Sequence, residues 1–398
     1  MASGVRLFPN DETAMLEYAL TGGKKYWPWL MALAAVIAVG FLFYLHQYRI
    51  GLTVTGMSRD VTWGFYISQF TFLVGIAASA VMVVLPYYLH DWKAFGRITA
   101  LGEFLAISAV IMCMLFILVD LGQPARVMNI FLYPSPHSMM FWDTIALSGY
   151  LVLNVIISRV TLGAERKGVA PPGWIRPVIL LSIPWAISIH TVTAFLYAGL
   201  SARPFWMTAV LAPRFLASAF ASGPALLILI VLALKRITGF DAGREPVQKL
   251  AVIVTYALCI HIFLILMELF TVFYGGIPEH TSHFQFLLLG TGGRSLMIAE
   301  WLSIILGVSS LALLISPRMR HNDNVLAVSC VALFVSIWIE KGMAMIVTGF
   351  VPSPLGRFTE YRPTLTELLI ASGVYGIGIF LVTILFKIYL KTKEQIYD

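Results

Sequence analysis

Ten long apolar segments dominate this sequence and limit what it can fold into. A helix needs about 20 mostly apolar residues to cross about 30 Å of hydrocarbon. Only 12% of the 398 residues are charged, against roughly 25% in a soluble protein. The joining segments are short, so no extramembrane domain is predicted. The predicted spans cover residues 27–46, 63–88, 98–120, 140–161, 177–200, 213–234, 250–274, 296–316, 325–348 and 366–388.

Basic residues are divided unevenly between the two sides of these spans. Eighteen fall in the N-terminal segment, every second loop and the C-terminal segment, whereas eight fall on the other side. Because cytoplasmic loops carry the excess of basic residues, we predict a cytoplasmic (inner) membrane protein with both termini in the cytoplasm. The net charge of +7 follows this asymmetry, so the lipid bilayer is the expected partner, and nucleic acid is not.

The unusual residues collect on the side that has fewer basic residues, here called the outer side. Loops that carry function often combine Gly, Pro, aromatic and polar residues in this way, so a site or docking surface is predicted there. The three cysteines are far apart in sequence and fit no iron–sulfur or zinc motif. The distinctive outer segments are residues 56–66, 119–143, 199–206, 275–284 and 349–367.

Several ionisable residues fall within the predicted spans, where an Asp, Lys or Arg costs about 2.5–3.5 kcal/mol at a helix centre. They predict either interhelical hydrogen bonds or a shared polar cavity that conducts protons. Glu340 and Lys341 are neighbours that project about 100° apart on a helix, so each is predicted to have its own partner on another helix. The predicted proton path comprises Asp143, His190, Glu268, Glu300, Glu340 and Lys341.

A weak internal repeat predicts the architecture. His190 aligns with Glu340, Gly199 with Gly349 and Asp143 with Glu300, although coincidence would also explain these matches. The fold class is an all-α integral membrane protein of ten helices, with two parallel-related four-helix bundles, helices 2–5 and 6–9, flanked by helices 1 and 10. The predicted regions are a cytoplasmic segment with an interfacial helix (1–25), helix 1 and an outer loop (26–62), the first bundle (63–200), the second bundle (201–348), and an outer loop with helix 10 and a cytoplasmic tail (349–398).

Two motifs carry a family resemblance. "WGFYISQFTFLVG" at 63–75, followed by "DLGQPAR" at 120–126, resembles the NrfD/PsrC-type (polysulfide-reductase-like) membrane subunits of redox complexes. The segment "IEKGMAMIVTGFVPSPLG" at 339–356 resembles a ten-helix subgroup with the DsrP-, Qrc-, Hmc- and HybB-type subunits, found in sulfur-metabolising organisms.

The resemblance implies a subunit of a quinone oxidoreductase complex that binds a quinone, with menaquinone expected. It implies that this chain has no haem or iron–sulfur cluster. The implied partner is an exoplasmic ferredoxin-like iron–sulfur subunit, with a multihaem cytochrome c and further membrane or cytoplasmic redox subunits in some complexes.

A quinone site needs an apolar slot, an aromatic wall and a few polar groups. The alternative for Asp120 and Arg126 is an ion pair that only fixes the loop. No catalytic or metal-ligating residue is predicted. The outer ends of helices 2–4 supply the predicted quinone-binding residues Trp63, Tyr66, Gln69, Asp120, Arg126, His137, Trp142 and Asp143.

Two other functions fit parts of the sequence. His190 and His261 lie near the middle of different spans, so a protein that binds one b-haem is conceivable. Parallel repeats and buried charges also occur in secondary transporters. A visible absorption spectrum would distinguish the first alternative, and substrate uptake by the chain alone in liposomes would distinguish the second.

Overall fold

The computed structural model describes residues 22–90 and 92–397, and these residues form helices and no strand. Ten helices of the described part are long and apolar enough to cross a membrane, which confirms the ten predicted spans. The interfacial helix predicted in residues 1–25 falls almost entirely outside the described ranges. The spanning helices are α1 Tyr26–Ile50, α2 Phe65–Leu89, α3 Lys93–Asp120, α4 Met139–Arg166, α5 Ile175–Ala198, α6 Leu211–Thr238, α7 Arg244–Gly275, α8 Ser295–Ile315, α9 Asp323–Phe350 and α10 Leu365–Thr392.

Helices that follow one another in sequence mostly pack side by side. From α2 to α5 each helix packs on the next, and α5 also contacts α2. From α6 to α9 the same holds, and α9 also contacts α6. The helix α2 additionally packs against α6 and α9, while α1 packs on α10 and α10 packs on α3. These neighbours are compatible with two four-helix groups, but the two-bundle repeat and its residue boundaries stay a prediction.

The helices α1 and α10 cross at a pair of glycines. A Cβ atom built on Gly40 would lie 2.6 Å from the Cα atom of Gly373, which is far inside van der Waals contact. Membrane helices lack a hydrophobic drive to associate, so small residues that admit close backbone approach are favoured where they cross. The glycine pair therefore brings α1 against the rest of the protein through α10.

The helix α9 contains a wide turn. Its first part, Asp323–Ile337, and its last part, Met345–Phe350, are α-helical, whereas Trp338–Ala344 is π-helical. Turns of this kind are rare and are often found at functional sites. Glu340 and Lys341 both lie in this turn.

One buried carboxylate joins the loops that precede α2 and α10. Glu367 and Thr364 form a capping box, in which the Thr364 N–H donates to Glu367 Oε2 at 2.8 Å and the Glu367 N–H donates to Thr364 Oγ1 at 3.3 Å. The same carboxylate accepts from the Gly56 N–H at 2.7 Å and from the Tyr361 hydroxyl at 2.5 Å. The Tyr361 hydroxyl in turn accepts from the Phe65 N–H at 2.7 Å. Glu367 thus fixes where both helices begin.

We expect Glu367→Ala to lower the stability of the purified protein by at least about 3 kcal/mol, because several buried donors lose a charged acceptor. Thermal unfolding in detergent measures this as a lower midpoint. Glu279→Ala is the matched control, because Glu279 is an exposed carboxylate outside the spans that forms no ion pair with the described residues. Equal midpoints for the two variants would contradict the role assigned to Glu367.

Candidate functional site

A cavity of about 510 Å³ lies among α2, α3, α4 and the loop that joins α3 to α4. This volume is within the range of about 300–1,000 Å³ that is usual for small-molecule sites. Its wall is mostly apolar, and four residues of the predicted quinone site lie in it. These are Trp63, Asp120, Arg126 and Asp143.

Two carboxylates reach this cavity from different helices. Asp120 is the last residue of α3, and its buried Oδ1 atom has no hydrogen-bond partner among the described residues. Asp143 lies near the start of α4, is only 4% exposed, and accepts a hydrogen bond of 2.6 Å from Thr193 Oγ1 on α5. Within the described ranges no ion pair joins Asp120 to Arg126, so the loop-fixing alternative is not observed.

Trp63 connects the cavity wall to an aromatic cluster. Its ring stacks on Trp206 at 6.0 Å between centroids and meets the rings of Tyr197 and Phe350 edge-on at 5.7 and 5.9 Å. The indole N–H of Trp206 donates to the Met345 carbonyl at 3.0 Å. The cluster therefore links the cavity to the end of α5 and the end of α9.

Tyr66 and Gln69 are buried but hold helices together instead of lining the cavity. The Tyr66 hydroxyl donates to Gln47 Oε1 of α1 at 2.7 Å. Gln69 Oε1 accepts from the Trp338 indole N–H and from the Tyr375 hydroxyl, both at 2.7 Å. The two side chains thus connect α2 to α1, α9 and α10.

The last two residues of the predicted quinone site lie on the surface. His137 is exposed in the loop between α3 and α4, and Trp142 is 43% exposed near the start of α4. The Trp142 indole N–H donates to the Pro136 carbonyl at 2.8 Å, which fixes the end of the loop. Neither side chain belongs to the cavity wall.

Arg214 is the central residue of a second polar site, and the sequence interpretation misplaced it. The charge count treated it as one of the outer-loop basic residues, but it lies in the first turn of α6 and is only 8% exposed. Its guanidinium pairs with Glu268 on α7 and with Glu340 on α9, and its Nε atom donates to Glu340 Oε1 at 3.1 Å. Two carboxylates can compensate the desolvation of one guanidinium, which is why this residue is stable inside the protein.

Three groups of the predicted proton path, Glu268, Glu300 and Glu340, lie around this arginine, and His261 lies beside them. His261 Nε2 on α7 lies 3.3 Å from Glu340 Oε2. Glu300, Arg214, His261 and Glu340 line a second cavity of about 160 Å³, and the Oε2 atom of Glu300 has no hydrogen-bond partner within the described residues. Glu268 reaches the same cluster through Arg214.

Lys341 has its own partner, as the sequence predicts. Its Nζ atom donates to the Phe215 carbonyl at 3.3 Å and lies 4.3 Å from the centroid of the Phe215 ring. Glu340 pairs instead with Arg214, so the prediction of separate partners is confirmed. His190 is fully buried, and neither ring nitrogen has a hydrogen-bond partner in the part of the chain that the structure describes.

A signal for Arg214 exists in the sequence. The arginine stands in "LAPRFLASAF", where apolar residues flank it and a predicted span begins. An arginine in this setting must either reach the interface or find buried carboxylates. Glu268 and Glu340 supply them, but only the packing of α7 and α9 against α6 reveals this.

Comparison with known proteins identifies relatives along nearly the whole chain. A protein of Halobacterium salinarum, named as a putative dimethyl sulfoxide reductase membrane subunit, is 26% identical over 94% of this chain and 93% of its own length. The Hdr-like menaquinol oxidoreductase integral membrane subunit of Archaeoglobus fulgidus is 22% identical over 93% of this chain and 95% of its own. A selenate reductase subunit of Mesobacillus selenatarsenatis is 23% identical over 93% of this chain and 96% of its own length.

A family match covers most of the sequence. Residues 53–346 match the family described as "Polysulphide reductase, NrfD". The matched segment begins before α2 and ends inside α9, so it includes both cavities and the buried charge cluster. Two of the relatives are named as membrane subunits of a reductase and an oxidoreductase, which agrees with the ten spans. The chain therefore belongs to the NrfD (polysulphide reductase) family and is a multi-pass membrane protein.

Proposed function

We propose that this chain binds a quinone in the 510 Å³ cavity and passes electrons between that quinone and a redox partner at the outer face. The observation that carries this proposal is an apolar cavity into which two carboxylates of different helices project. A quinone has an apolar tail and a ring with two carbonyl oxygens, and this lining suits both. Menaquinone is the proposed form, because one relative is named as a subunit of a menaquinol oxidoreductase.

Each residue of the cavity has a role that follows from its position. The apolar wall and Trp63 hold the ring and exclude water. The unpaired Oδ1 atom of Asp120 is available to hold a proton beside one ring oxygen, and Asp143, oriented by Thr193, is available beside the other. Arg126 supplies a positive charge at the loop. The bound quinone supplies the redox chemistry.

The remaining residues of the predicted quinone site act from outside the cavity in this proposal. Tyr66 and Gln69 fix the position of α2 through their interhelical hydrogen bonds. His137 and Trp142 lie at the surface beside the loop. They would contact the docked ferredoxin-like iron–sulfur subunit, with which a multihaem cytochrome c and further redox subunits would assemble.

The second cavity is proposed to handle protons. Its volume of about 160 Å³ is well above the roughly 10–15 Å³ that admits one water molecule. Such waters would link the unpaired Oε2 atom of Glu300 to His261 and Glu340, and so form a proton path with Glu268 and the neighbouring Lys341. Asp143 and His190 are the corresponding groups of the first helix group.

We expect Glu300→Gln to slow proton uptake during quinone turnover by at least about tenfold, because a positioned acid or base commonly contributes 10²–10⁴ in rate. Glutamine keeps the size of the side chain but cannot carry a proton. The measurement is proton uptake by vesicles that contain the complex, followed with a pH-sensitive dye. Glu279→Gln, at an exposed glutamate outside the spans, is the control, and equal uptake rates in both variants would leave Glu300 with a structural role only.

The proposed orientation is tested by labelling introduced cysteines. Ser135→Cys and Leu355→Cys should react with a membrane-impermeant maleimide in intact cells once the partner subunits are absent, since Ser135 is exposed and Leu355 is 75% exposed. Val169→Cys, at a 57% exposed position in the loop between α4 and α5, should react only after the membrane is permeabilised. The opposite pattern would place the cavity near the cytoplasm.

A further inference from the structure

The exposed basic residues of the outer side are all arginines. Every lysine of the chain lies on the other side, except the buried Lys341. Five exposed arginines of the outer side form no ion pair with any described residue. On the opposite side Lys235 and Lys249 have carboxylate partners, whereas the exposed Arg176 and Arg318 have none among the described residues. The five unpaired arginines are Arg49, Arg59, Arg126, Arg294 and Arg357.

Several outer arginines belong to three segments that brace one another. The Thr359 hydroxyl donates to Asp60 Oδ2 at 2.9 Å, which joins the loop after α9 to the loop before α2. The Ser295 hydroxyl donates to Glu360 Oε1 at 2.9 Å, which joins the loop after α9 to the start of α8. We call the exposed arginines of these segments the arginine platform, and they are Arg59, Arg294, Arg357 and Arg362.

The loop after α9, which carries Arg357 and Arg362 of the arginine platform, is internally ordered. The Ser353 N–H donates to the Arg357 carbonyl at 2.8 Å, and the Arg357 N–H donates to Ser353 Oγ at 3.2 Å. Among the described residues, Arg362 is the one platform arginine with a carboxylate partner, Glu360, and that pair is exposed to solvent. The platform thus presents an excess of positive charge from a fixed backbone, so little ordering entropy is lost when a partner binds.

The arginine platform lies next to the aromatic cluster at the edge of the quinone cavity. The loop that carries Arg357 and Arg362 begins immediately after Phe350, whose ring meets Trp63 and Trp206 edge-on. The Arg203 guanidinium lies 4.4 Å from the centroid of the Phe350 ring. A protein bound to the platform would therefore stand beside the rings that contact the cavity wall.

We infer that the arginine platform is a docking surface for a soluble redox protein whose contact face carries carboxylates. The inference rests on the proposed function for its orientation and for its redox role. Guanidinium groups bind carboxylates through two parallel hydrogen bonds, which fix geometry as well as add energy. Arginine is enriched and lysine is depleted in protein interfaces, and the outer side has this composition. Complementary charge would also guide the partner to the platform before contact.

The first test converts the platform arginines into cross-linking groups. Arg294→Lys and Arg357→Lys keep the positive charge and add a primary amine, which a carbodiimide joins to a carboxylate in direct contact. In the native complex we expect cross-links from both lysines to Asp or Glu of one extramembrane subunit, identified by peptide mass spectrometry. Arg49→Lys is the matched control, because Arg49 is exposed at the end of α1, outside the platform, and should give none.

The second test reverses the charge. The double variant with Arg294→Glu and Arg357→Glu should weaken retention of that subunit at low ionic strength by at least about tenfold, and high salt should reduce the difference. Arg49→Glu should retain it. Cross-links only to anionic lipid or to this chain, or unchanged retention in the double variant, would overturn the docking role.

These outcomes are separable from failure of the proposed function. Quinone binding by the double variant, measured with the purified chain and menadione, should equal that of the wild-type chain. If menadione did not bind to either chain, the quinone site would be wrong, although the cross-links would still identify an acidic partner. If cysteine labelling placed Leu355 in the cytoplasm, the orientation would be wrong, but the charge-reversal result would remain decisive for docking.

Discussion

Arg214→Met is expected to remove most of the correctly assembled protein from the membrane. The substitution leaves Glu268 and Glu340 without their cation in a buried cluster. Breaking a buried pair by removing one partner typically costs about 3–5 kcal/mol, which is comparable to much of the stability of a folded domain. The measurement is the yield of the chain in detergent as a monodisperse peak, together with its thermal midpoint. Arg362→Met, at an exposed arginine, is the control and should behave as the wild type.

A compensated variant shows whether the loss arises from the unpaired charges. The triple replacement of Arg214 by Met and of Glu268 and Glu340 by Leu removes the whole pair network and keeps similar volumes. Such apolar replacements are often neutral or stabilising, so the triple variant should recover the yield while it loses proton uptake. A triple variant as unstable as Arg214→Met would show that the shape of the arginine matters more than charge compensation.

Asp120→Asn is expected to lower quinone-dependent electron transfer by about 10²-fold or more, because the amide cannot give or take a proton at the ring oxygen. Assembly should be normal, because the buried Oδ1 atom of Asp120 has no partner to lose within the described residues. The measurement is electron transfer between a water-soluble quinone and the docked redox subunit in the purified complex, with bound quinone quantified separately.

The matched control for that variant is on the same helix. Glu103 is a buried carboxylate in the first half of α3, and its Oε2 atom accepts from the Ser158 hydroxyl at 3.0 Å. Glu103→Gln should assemble and keep its electron-transfer rate, because Glu103 does not line the quinone cavity. If both variants lost electron-transfer rate equally, the cause would be a general effect of removing a carboxylate from α3. That result would argue against the cavity as the quinone site.

The spans could be predicted because each is a local property of about 20 consecutive residues. The helices extend beyond several predictions, for example to Arg166 in α4 and from Arg244 in α7. The physical reason is that a helix continues into the polar interface, where hydropathy no longer marks it. The separate partners of Glu340 and Lys341 could also be predicted, since the angle between neighbouring side chains is a local property.

The partners themselves could not be predicted from one sequence. Tyr66 bonds to Gln47, and Gln69 bonds to Trp338 and Tyr375, and each contact depends on which helices are neighbours. The burial of Arg214 could not be predicted for the same reason, because it depends on carboxylates of two other helices. Four residues of the predicted quinone site line the cavity, but composition could not separate lining residues from residues that only hold the helices together.

The π-helical turn of α9 has a consequence for the history of the chain. Nine residues separate His190 from Gly199, and nine also separate Glu340 from Gly349. The first stretch is regular α-helix, whereas the second passes through Trp338–Ala344. Because each residue of a π-turn advances the helix by a smaller angle, equal spacing in sequence leaves the two glycines at different angular positions. If the halves arose by duplication, α9 has since changed its winding at Glu340 and Lys341, so the two halves no longer offer their polar groups to equivalent neighbours.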